Sequence, residues 1–121
     1  MSKKILVVDD DELVLIAIRE LLTPLGFSVT ISPNGHDALE KATLNQFDLV
    51  ILDVIMPEMD GFEVCQRIRR IDAYTETPVM MLTAKSADED RQRGLEIGAN
   101  LYLSKPISPK RLIALVEEAI Q

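Results

Sequence analysis

The sequence predicts a single α/β domain in which a parallel β-sheet lies between two layers of helices. Two observations support this fold class. Strand-like apolar runs and helical patterns alternate five times along the 121 residues, and the runs ILVV, LVIL and VMML are continuously apolar. Continuous apolar runs are typical of parallel strands that helices cover on both faces. Right-handed crossovers would make such a sheet parallel, but the alternation alone does not give the order of its strands.

Five strands are predicted from the apolar runs. They cover Lys4–Asp9, Phe27–Ser32, Asp48–Asp53, Pro78–Thr83 and Asn100–Leu103. The second run, SVTIS, alternates polar and apolar residues, which is typical of a strand at the edge of a sheet. Five helices are predicted in the intervals. They cover Glu12–Leu25, Gly35–Leu44, Gly61–Ile71, Ala87–Ile97 and Pro109–Ile120.

Residues with known preferences for helix ends support these bounds. Pro24 and Gly26 are expected to end the first helix. Ser86 and Glu89 have the spacing of a capping box at the start of the fourth helix. Ser108 followed by Pro109 is typical of an N-cap and the first helical position, so the fifth helix should begin there.

Composition excludes several classes of protein. At 13.5 kDa and 47% hydrophobic residues, the chain can bury one sizeable core. The net charge of −7 argues against direct binding to nucleic acid. The single cysteine, Cys65, cannot form an internal disulfide, and no apolar run has the roughly 18 residues of a membrane span. Since MSKK leads directly into a strand, we expect no signal peptide, no membrane anchor and a cytoplasmic location.

Polar residues gather where the predicted strands end. Asp9 and Asp10 follow the first apolar run, Asp53 follows the third, Thr83 the fourth and Lys105 the fifth. The carboxyl ends of parallel strands share one edge of the sheet, and open α/β folds bind their ligands at that edge. We therefore expect these five side chains to converge.

The converging groups suit a hard cation beside a phosphoryl group. Clustered carboxylates raise one another's pKa, and a divalent cation keeps them ionised. Oxygen ligands without histidine or cysteine favour Mg²⁺ or Mn²⁺ over zinc. An aspartate placed there can attack phosphorus and form an acyl phosphate. Lys105 would neutralise charge on the transferring group, and Thr83 would donate a hydrogen bond to it.

Four motifs in this order resemble the receiver domains of two-component response regulators, the chemotaxis regulators among them. The motifs are ILVVDDDE, LVILDVIMPEMDGFEV, PVMMLTAK and GANLYLSKP. The resemblance extends over essentially all of residues 1–121, so we expect one receiver domain and no output domain in this chain. It implies a flavodoxin-like (βα)5 fold with strand order 2-1-3-4-5.

The same resemblance assigns roles to residues. It implies that Asp53 is the phosphoacceptor, that Asp10 and the backbone carbonyl of Ile55 are Mg²⁺ ligands together with Asp53, and that Asp9 contributes through a water molecule. Lys105 would bind the phosphoryl group.

A second set of positions resembles the conformational switch of the family. Thr83 would be the switch hydroxyl and Tyr102 the switch aromatic. The peptide bond between Lys105 and Pro106 is expected to be cis. The fourth helix has few large apolar residues and contains Gly94, so we expect it to be weakly held and able to shift.

The implied function is phosphorelay signalling. The donor would be a histidine kinase or a histidine phosphotransfer protein, and the signal would pass to an effector or a fused output domain through the face of helix 4, strand 5 and helix 5. The domain would catalyse its own Mg²⁺-dependent phosphorylation and slow dephosphorylation without being a turnover enzyme. Many receivers that dimerise on this face carry two acids where this chain has Asn100 and Leu101, so that charged interface is not expected here.

Three other functions are less well supported. A phosphoaspartyl phosphohydrolase needs a second acid two residues after its nucleophile, and that position is Ile55. A flavodoxin-like cofactor binder needs a phosphate-binding loop after the first strand, where this chain has acids. A receiver-like module that never takes phosphate is disfavoured because no pocket residue is missing.

The first helix has more apolar residues than one face requires. Its inward face is predicted to hold Val14, Ala17, Ile18, Leu21 and Leu22. Leu13 and Ile16 are then predicted to lie on the outer face, one turn apart. They are either a contact for a partner protein or scattered surface residues, which are common.

Four further residues have simpler interpretations. His36 is expected to be exposed and without a function, and Cys65 to be a buried packing residue. Asp11 and Glu12 are expected to cap the first helix and to interact with its dipole.

Overall fold

Strands and helices alternate throughout residues 2–121, which are the residues described by this computed structural model. The strands are β1 (Lys4–Val8), β2 (Ser28–Ser32), β3 (Leu49–Leu52), β4 (Val79–Thr83) and β5 (Leu101–Ser104). The helices are α1 (Glu12–Leu22), α2 (Gly35–Leu44), α3 (Gly61–Arg69), α4 (Asp88–Ile97) and α5 (Pro109–Ile120). Short 3₁₀ turns cover Thr23–Leu25 and Asp72–Tyr74.

The five strands form one parallel sheet in the order β2-β1-β3-β4-β5, which confirms the predicted fold class and strand order. In this order β1 lies beside β3, with Val8 opposite Leu52. The next residues, Asp9 and Asp53, therefore leave the sheet side by side.

Both faces of the sheet are buried. Leu6 and Val8 of β1 pack into a core beneath α2 and α3, whereas Ile5 and Val7 pack into a second core beneath α1 and α5. Because successive side chains of a strand point to opposite faces, burial on both faces explains the continuous apolar run ILVV.

The helix ends agree with the sequence at most positions. Asp11 caps α1 by accepting from the Leu13 N–H (3.0 Å), and Ser108 caps α5 by accepting from the Arg111 N–H (3.1 Å). The helical segment ends at Gly26, which has a positive φ of 98°. The predicted capping box of Ser86 and Glu89 is wrong.

Ala87 is the N-cap of α4, and its side chain makes no capping hydrogen bond. The helix therefore begins one residue later than predicted and lacks a side-chain cap.

The predicted faces of α1 are partly wrong. Leu15, Ile18 and Leu22 are the buried residues of this helix, and Ala17 is exposed. The spacing of three and four residues places these three side chains on one stripe facing the sheet. Leu13 is 77% exposed, as predicted, whereas Ile16 is half-buried beside the stripe.

Two single residues have the predicted environments. His36 is exposed, and Cys65 is fully buried, where burial raises the pKa of its thiol above the ordinary value. Within residues 2–121, none of the helices is both long and apolar enough to cross a bilayer.

Candidate functional site

Asp53 stands at the carboxyl end of β3, in the middle of the sheet. Its N–H donates to the carbonyl of Val8 (2.9 Å), which continues the pairing of β1 with β3 by one residue. Oδ1 of its carboxylate accepts from the Ile55 N–H (3.2 Å), and Oδ2 accepts from Nζ of Lys105 (3.1 Å). The residue is only 6% exposed, so the carboxylate is held in a defined orientation at the edge of the sheet.

Asp9 and Asp10 approach Asp53 from the end of β1. Asp9 is 3% exposed, and its Oδ1 accepts from the Asp11 N–H (2.9 Å), whereas Asp10 is exposed. One oxygen of each of the three carboxylates lies within 4.8 Å of the others. Burial raises the pKa of Asp9 above its ordinary value despite the opposing hydrogen bond from Lys105.

Lys105 supplies the positive charge of the site. Its Nζ lies 2.7 Å from Oδ2 of Asp9 and 3.1 Å from Oδ2 of Asp53. Burial alone would lower the pKa of Lys105, but the hydrogen bonds to the two carboxylates raise it above its ordinary value, so the ammonium stays charged. The peptide bond between Lys105 and Pro106 is cis, as predicted.

The donor set fits a hard divalent cation. Three carboxylates and one ammonium leave the pocket with a net charge of about −2 when all are ionised, and the cluster contains no histidine or cysteine. Oxygen ligands of this kind are those that Mg²⁺ and Mn²⁺ prefer. Within residues 2–121, this is the one group of three histidine, cysteine, aspartate or glutamate side chains whose potential ligand atoms all lie within 4.8 Å of one another.

Thr83 and Tyr102 hold the loop between β4 and α4 at the same residue. Thr83 is fully buried, and its Oγ1 accepts from the Lys85 N–H (3.2 Å). Tyr102 is 2% exposed, and its hydroxyl donates to the Lys85 carbonyl. The Tyr102 ring is therefore turned inward beneath this loop.

The structure shows one backbone position at the site that sequence reasoning missed. Gly61 begins α3 directly behind Asp53: a Cβ there would overlap the Asp53 carbonyl oxygen and lie 2.7 Å from Cα of Val54. This glycine belongs to the MDG motif. Its φ is not positive, so glycine is needed here because the backbone of Asp53 and Val54 comes too close to leave room for a Cβ. Only the three-dimensional packing reveals such a requirement.

Comparisons with known proteins agree with this geometry. A family model described as "Response regulator receiver domain" matches residues 5–117. The chain is 41% identical over 120 residues to the "Probable transcriptional regulator ycf29" of Porphyra purpurea, an alignment that includes 99% of this chain and 57% of the relative. It is 40% identical over 121 residues to the "Alkaline phosphatase synthesis transcriptional regulatory protein PhoP" of Bacillus subtilis (strain 168), covering 100% of this chain and 50% of the relative. The chain thus spans about half the length of these curated relatives.

Solved structures show the same similarity. The chemotaxis protein CheY4 of Vibrio cholerae superposes with a TM-score of 0.94 at 34% identity, over 98% of this chain and 99% of that chain. Because the two folds match over nearly the whole of both chains, the three carboxylates and Lys105 of this chain lie on the same fold as that of the chemotaxis protein.

Proposed function

Since the chain belongs to the response regulator receiver domain family, which acts in phosphorelay signalling, we propose that Asp53 is the residue that accepts the phosphoryl group. The observation that carries the proposal is the setting of its carboxylate. Oδ2 lies 3.1 Å from Nζ of Lys105, and the carboxylates of Asp9 and Asp10 lie beside it at the ligand-binding edge of the sheet.

The transfer needs little covalent chemistry from the protein. One carboxylate oxygen of Asp53 forms a bond to phosphorus while the bond between phosphorus and the donor imidazole nitrogen breaks. The electron pair of the broken bond returns to the imidazole. Lys105 neutralises negative charge on the transferring group, and the Thr83 hydroxyl donates a hydrogen bond to one of the phosphoryl oxygens.

Four groups are proposed to hold Mg²⁺ or Mn²⁺. Asp10, Asp53 and the backbone carbonyl of Ile55 would be direct ligands, and Asp9 would act through a water molecule. When bound, the ion supplies positive charge that offsets the repulsion between the phosphoryl group and the carboxylates. Asp10 is exposed and absent from the two ion pairs that Lys105 makes with Asp9 and Asp53, so its carboxylate can bind an incoming cation without breaking either pair.

Ile55 distinguishes this function from that of a phosphohydrolase. Ile55 is 53% exposed and lies two residues after Asp53, where a hydrolase would carry the acid that activates water. An apolar group cannot transfer a proton, so the acyl phosphate should persist long enough to signal. The domain is therefore proposed to phosphorylate itself without acting as a turnover enzyme.

One experiment tests the function and separates it from hydrolysis. The protein is incubated with Mg²⁺ and acetyl phosphate, and bound and released phosphate are both measured. We expect one base-labile phosphate per chain, absent in Asp53→Asn and absent when EDTA replaces Mg²⁺. Rapid release of many equivalents of phosphate, with little phosphate bound to the chain at any time, would indicate a hydrolase instead.

The phosphodonor is proposed to be a histidine kinase or a histidine phosphotransfer protein that docks against α1. A groove of about 350 Å³ lies between α1 and α5, lined by apolar residues and ending at Lys105 and Pro106. Leu13 is exposed on the same helix. A donor helix placed there would bring its histidine to the edge of the sheet where Asp53 lies.

The docking proposal has a matched control on another helix. Leu13→Glu should slow phosphotransfer from a cognate kinase without changing phosphorylation by acetyl phosphate. Leu44→Glu changes a residue of similar exposure on α2 and should leave both rates unchanged. Equal rates of kinase transfer in the two variants would remove this docking surface.

The output is proposed to leave through α4, β5 and α5 toward an effector or a further domain. Thr83 and Tyr102 both hydrogen-bond to the backbone of Lys85 in the loop between β4 and α4, so a change at Thr83 can reach β5 through this loop. Amide exchange with and without a phosphoryl mimic should show altered protection in α4. Equal protection throughout α4 would argue against this output face.

A further inference from the structure

The middle of α4 approaches β5 closely because it contains a glycine. Gly94 is the one buried residue of this helix. A Cβ at this position would lie 2.7 Å from Cδ2 and 3.0 Å from Cε2 of Tyr102, and 2.9 Å from Sδ of Met81. These distances are well below the roughly 3.5–4.0 Å at which nonbonded carbon atoms pack. A larger residue would therefore displace the ring, the sulfur or the helix.

A hydrogen bond to the same part of β5 also holds the helix in place. Nη1 of Arg91, one turn before Gly94, donates to the Tyr102 carbonyl (3.2 Å). Moving the whole helix would break this bond, whereas the Tyr102 ring can leave by rotating about a single side-chain bond.

The Tyr102 ring in turn supports the loop above it. Its hydroxyl donates to the Lys85 carbonyl, while the Lys85 N–H donates to Oγ1 of Thr83. An outward rotation of the ring would break the first of these bonds and release one side of the loop. The packing of Gly94 is therefore connected, through Tyr102, to the position of Thr83.

We propose that Gly94 is a positioning residue: by lacking a side chain it lets α4 lie directly on the Tyr102 ring, and this contact keeps the ring inward beneath the loop that follows Thr83. Glycine inside a helix is less stable than alanine. At this position the close packing of α4 on Tyr102 is therefore obtained at the expense of local helix stability. The consequence for phosphorylation rests on the proposed function of Asp53 and Thr83, but the position of the ring does not.

The position of the ring is measured directly by ¹⁹F NMR. The chain has two tyrosines, so protein labelled with 3-fluorotyrosine should give two resonances, and the one lost in Tyr102→Phe belongs to Tyr102. In Gly94→Ala we expect that resonance to move toward the value of the free amino acid and to gain a solvent isotope shift. The Tyr74 resonance reports on whether the rest of the fold is intact and should not move.

Gln92→Ala is the matched control, since Gln92 is exposed on the same helix. It should leave both resonances unchanged. A Tyr102 resonance that stays at its wild-type position in Gly94→Ala would overturn the proposal, because the sulfur of Met81 or the helix would then have yielded instead of the ring.

Melting temperatures provide a second test that does not depend on the labelled sample. An ordinary glycine-to-alanine change inside a helix raises the melting temperature. We expect Gly94→Ala to lower it in the wild type, and to lower it less or to raise it in a Tyr102→Ala background, where the ring is gone and only the flexible Met81 side chain remains close. A rise in both backgrounds would contradict direct contact between Gly94 and the ring.

A third measurement connects the contact to the pocket. Beryllofluoride with Mg²⁺ serves as the phosphoryl mimic, and its affinity should fall by about fivefold or more in Gly94→Ala because the Thr83 loop must be ordered on binding. Unchanged affinity would show that the ring does not act on Thr83. If the wild type binds no beryllofluoride, the proposed function fails, whereas the ¹⁹F result still decides the role of Gly94.

Discussion

Nζ of Lys105 lies 3.1 Å from Oδ2 of Asp53, although 52 positions separate the two residues in the sequence. The same ammonium lies 2.7 Å from Oδ2 of Asp9. Two buried carboxylates therefore share one cation, and this ion-pair cluster joins the ends of β1, β3 and β5 at one point.

Removal of this ammonium should destabilise the metal-free protein. We expect Lys105→Met to lower the free energy of unfolding by about 1–3 kcal/mol, because Asp9 and Asp53 would remain buried without a cation. Urea denaturation in EDTA measures the change. Lys110→Met, at an exposed position on α5, is the control and should change stability by less than about 0.5 kcal/mol. An equal loss in both variants would show that the cluster does not stabilise the fold.

Arg69 should stabilise the segments that lead into β4 and β5, at the end of the sheet opposite Asp53. Its guanidinium donates to the carbonyls of Tyr74 (2.6 Å), Thr77 (2.7 Å) and Gly98 (2.8 Å), and to Oδ1 of Asn100 (2.9 Å). Lysine keeps the charge but cannot reproduce this fork of donors.

We therefore expect Arg69→Lys to lower the free energy of unfolding by about 2 kcal/mol. The adjacent Arg70 is exposed, and Arg70→Lys should be nearly neutral in the same denaturation experiment. Similar stabilities of the two variants would contradict the assigned role of Arg69.

Tyr74 should make the fold sensitive to alkaline pH. Its buried hydroxyl lies 2.8 Å from the Ala42 carbonyl and accepts from the Phe47 N–H (3.2 Å). Burial raises the pKa of Tyr74 above its ordinary value. The unfolded chain therefore loses this proton first, so the contribution of Tyr74 to stability is complete below about pH 10 and is lost as pH rises through the folded pKa.

The corresponding variant is Tyr74→Phe. It should be less stable by about 1–2 kcal/mol at neutral pH because backbone groups lose a partner. Its stability should also fall less steeply than that of the wild type above pH 10. Parallel curves of stability against pH would show that Tyr74 ionisation does not contribute.

Glu58 adopts a left-handed backbone conformation that costs stability. Its φ is 67°, in the loop between Asp53 and α3, where the Met59 N–H donates to the Pro57 carbonyl (2.8 Å). Glycine has no Cβ and adopts this conformation without strain. We expect Glu58→Gly to raise the free energy of unfolding by about 1 kcal/mol.

The control for this change is Glu76→Gly. Glu76 is also exposed in a loop, but its φ is not positive, so glycine should be neutral or destabilising there. Thermal unfolding of the two variants side by side decides the matter. Destabilisation by both would mean that the backbone at Glu58 is not strained.

The site was predictable because its chemistry depends on residue type and strand order. Asp9, Asp10, Asp53, Thr83 and Lys105 follow apolar runs, and parallel strands bring such positions to one edge. The alternation of elements gave the fold class, whereas the order of the strands came only from the family resemblance.

Other features depend on geometry that the sequence does not display. The predicted inward face of α1 is wrong at two positions: Leu15 is buried and Ala17 is exposed. Apolar residues occur around much of this helix, so only its packing against the sheet determines which of them are buried. The sequence predicts that Gly94 weakens α4, whereas the structure shows that this position closely approaches the Tyr102 ring. Such close approaches are set by tertiary packing and leave no periodic signal.

Borohydride trapping identifies directly the residue that carries the phosphoryl group, which we propose is Asp53. Reduction of an aspartyl phosphate yields homoserine, which peptide mass spectrometry assigns to a single residue. After incubation with Mg²⁺ and acetyl phosphate, we predict homoserine at position 53 and unmodified aspartate at positions 9 and 10. Homoserine at Asp9 or Asp10, or its absence from all three positions, would contradict the account.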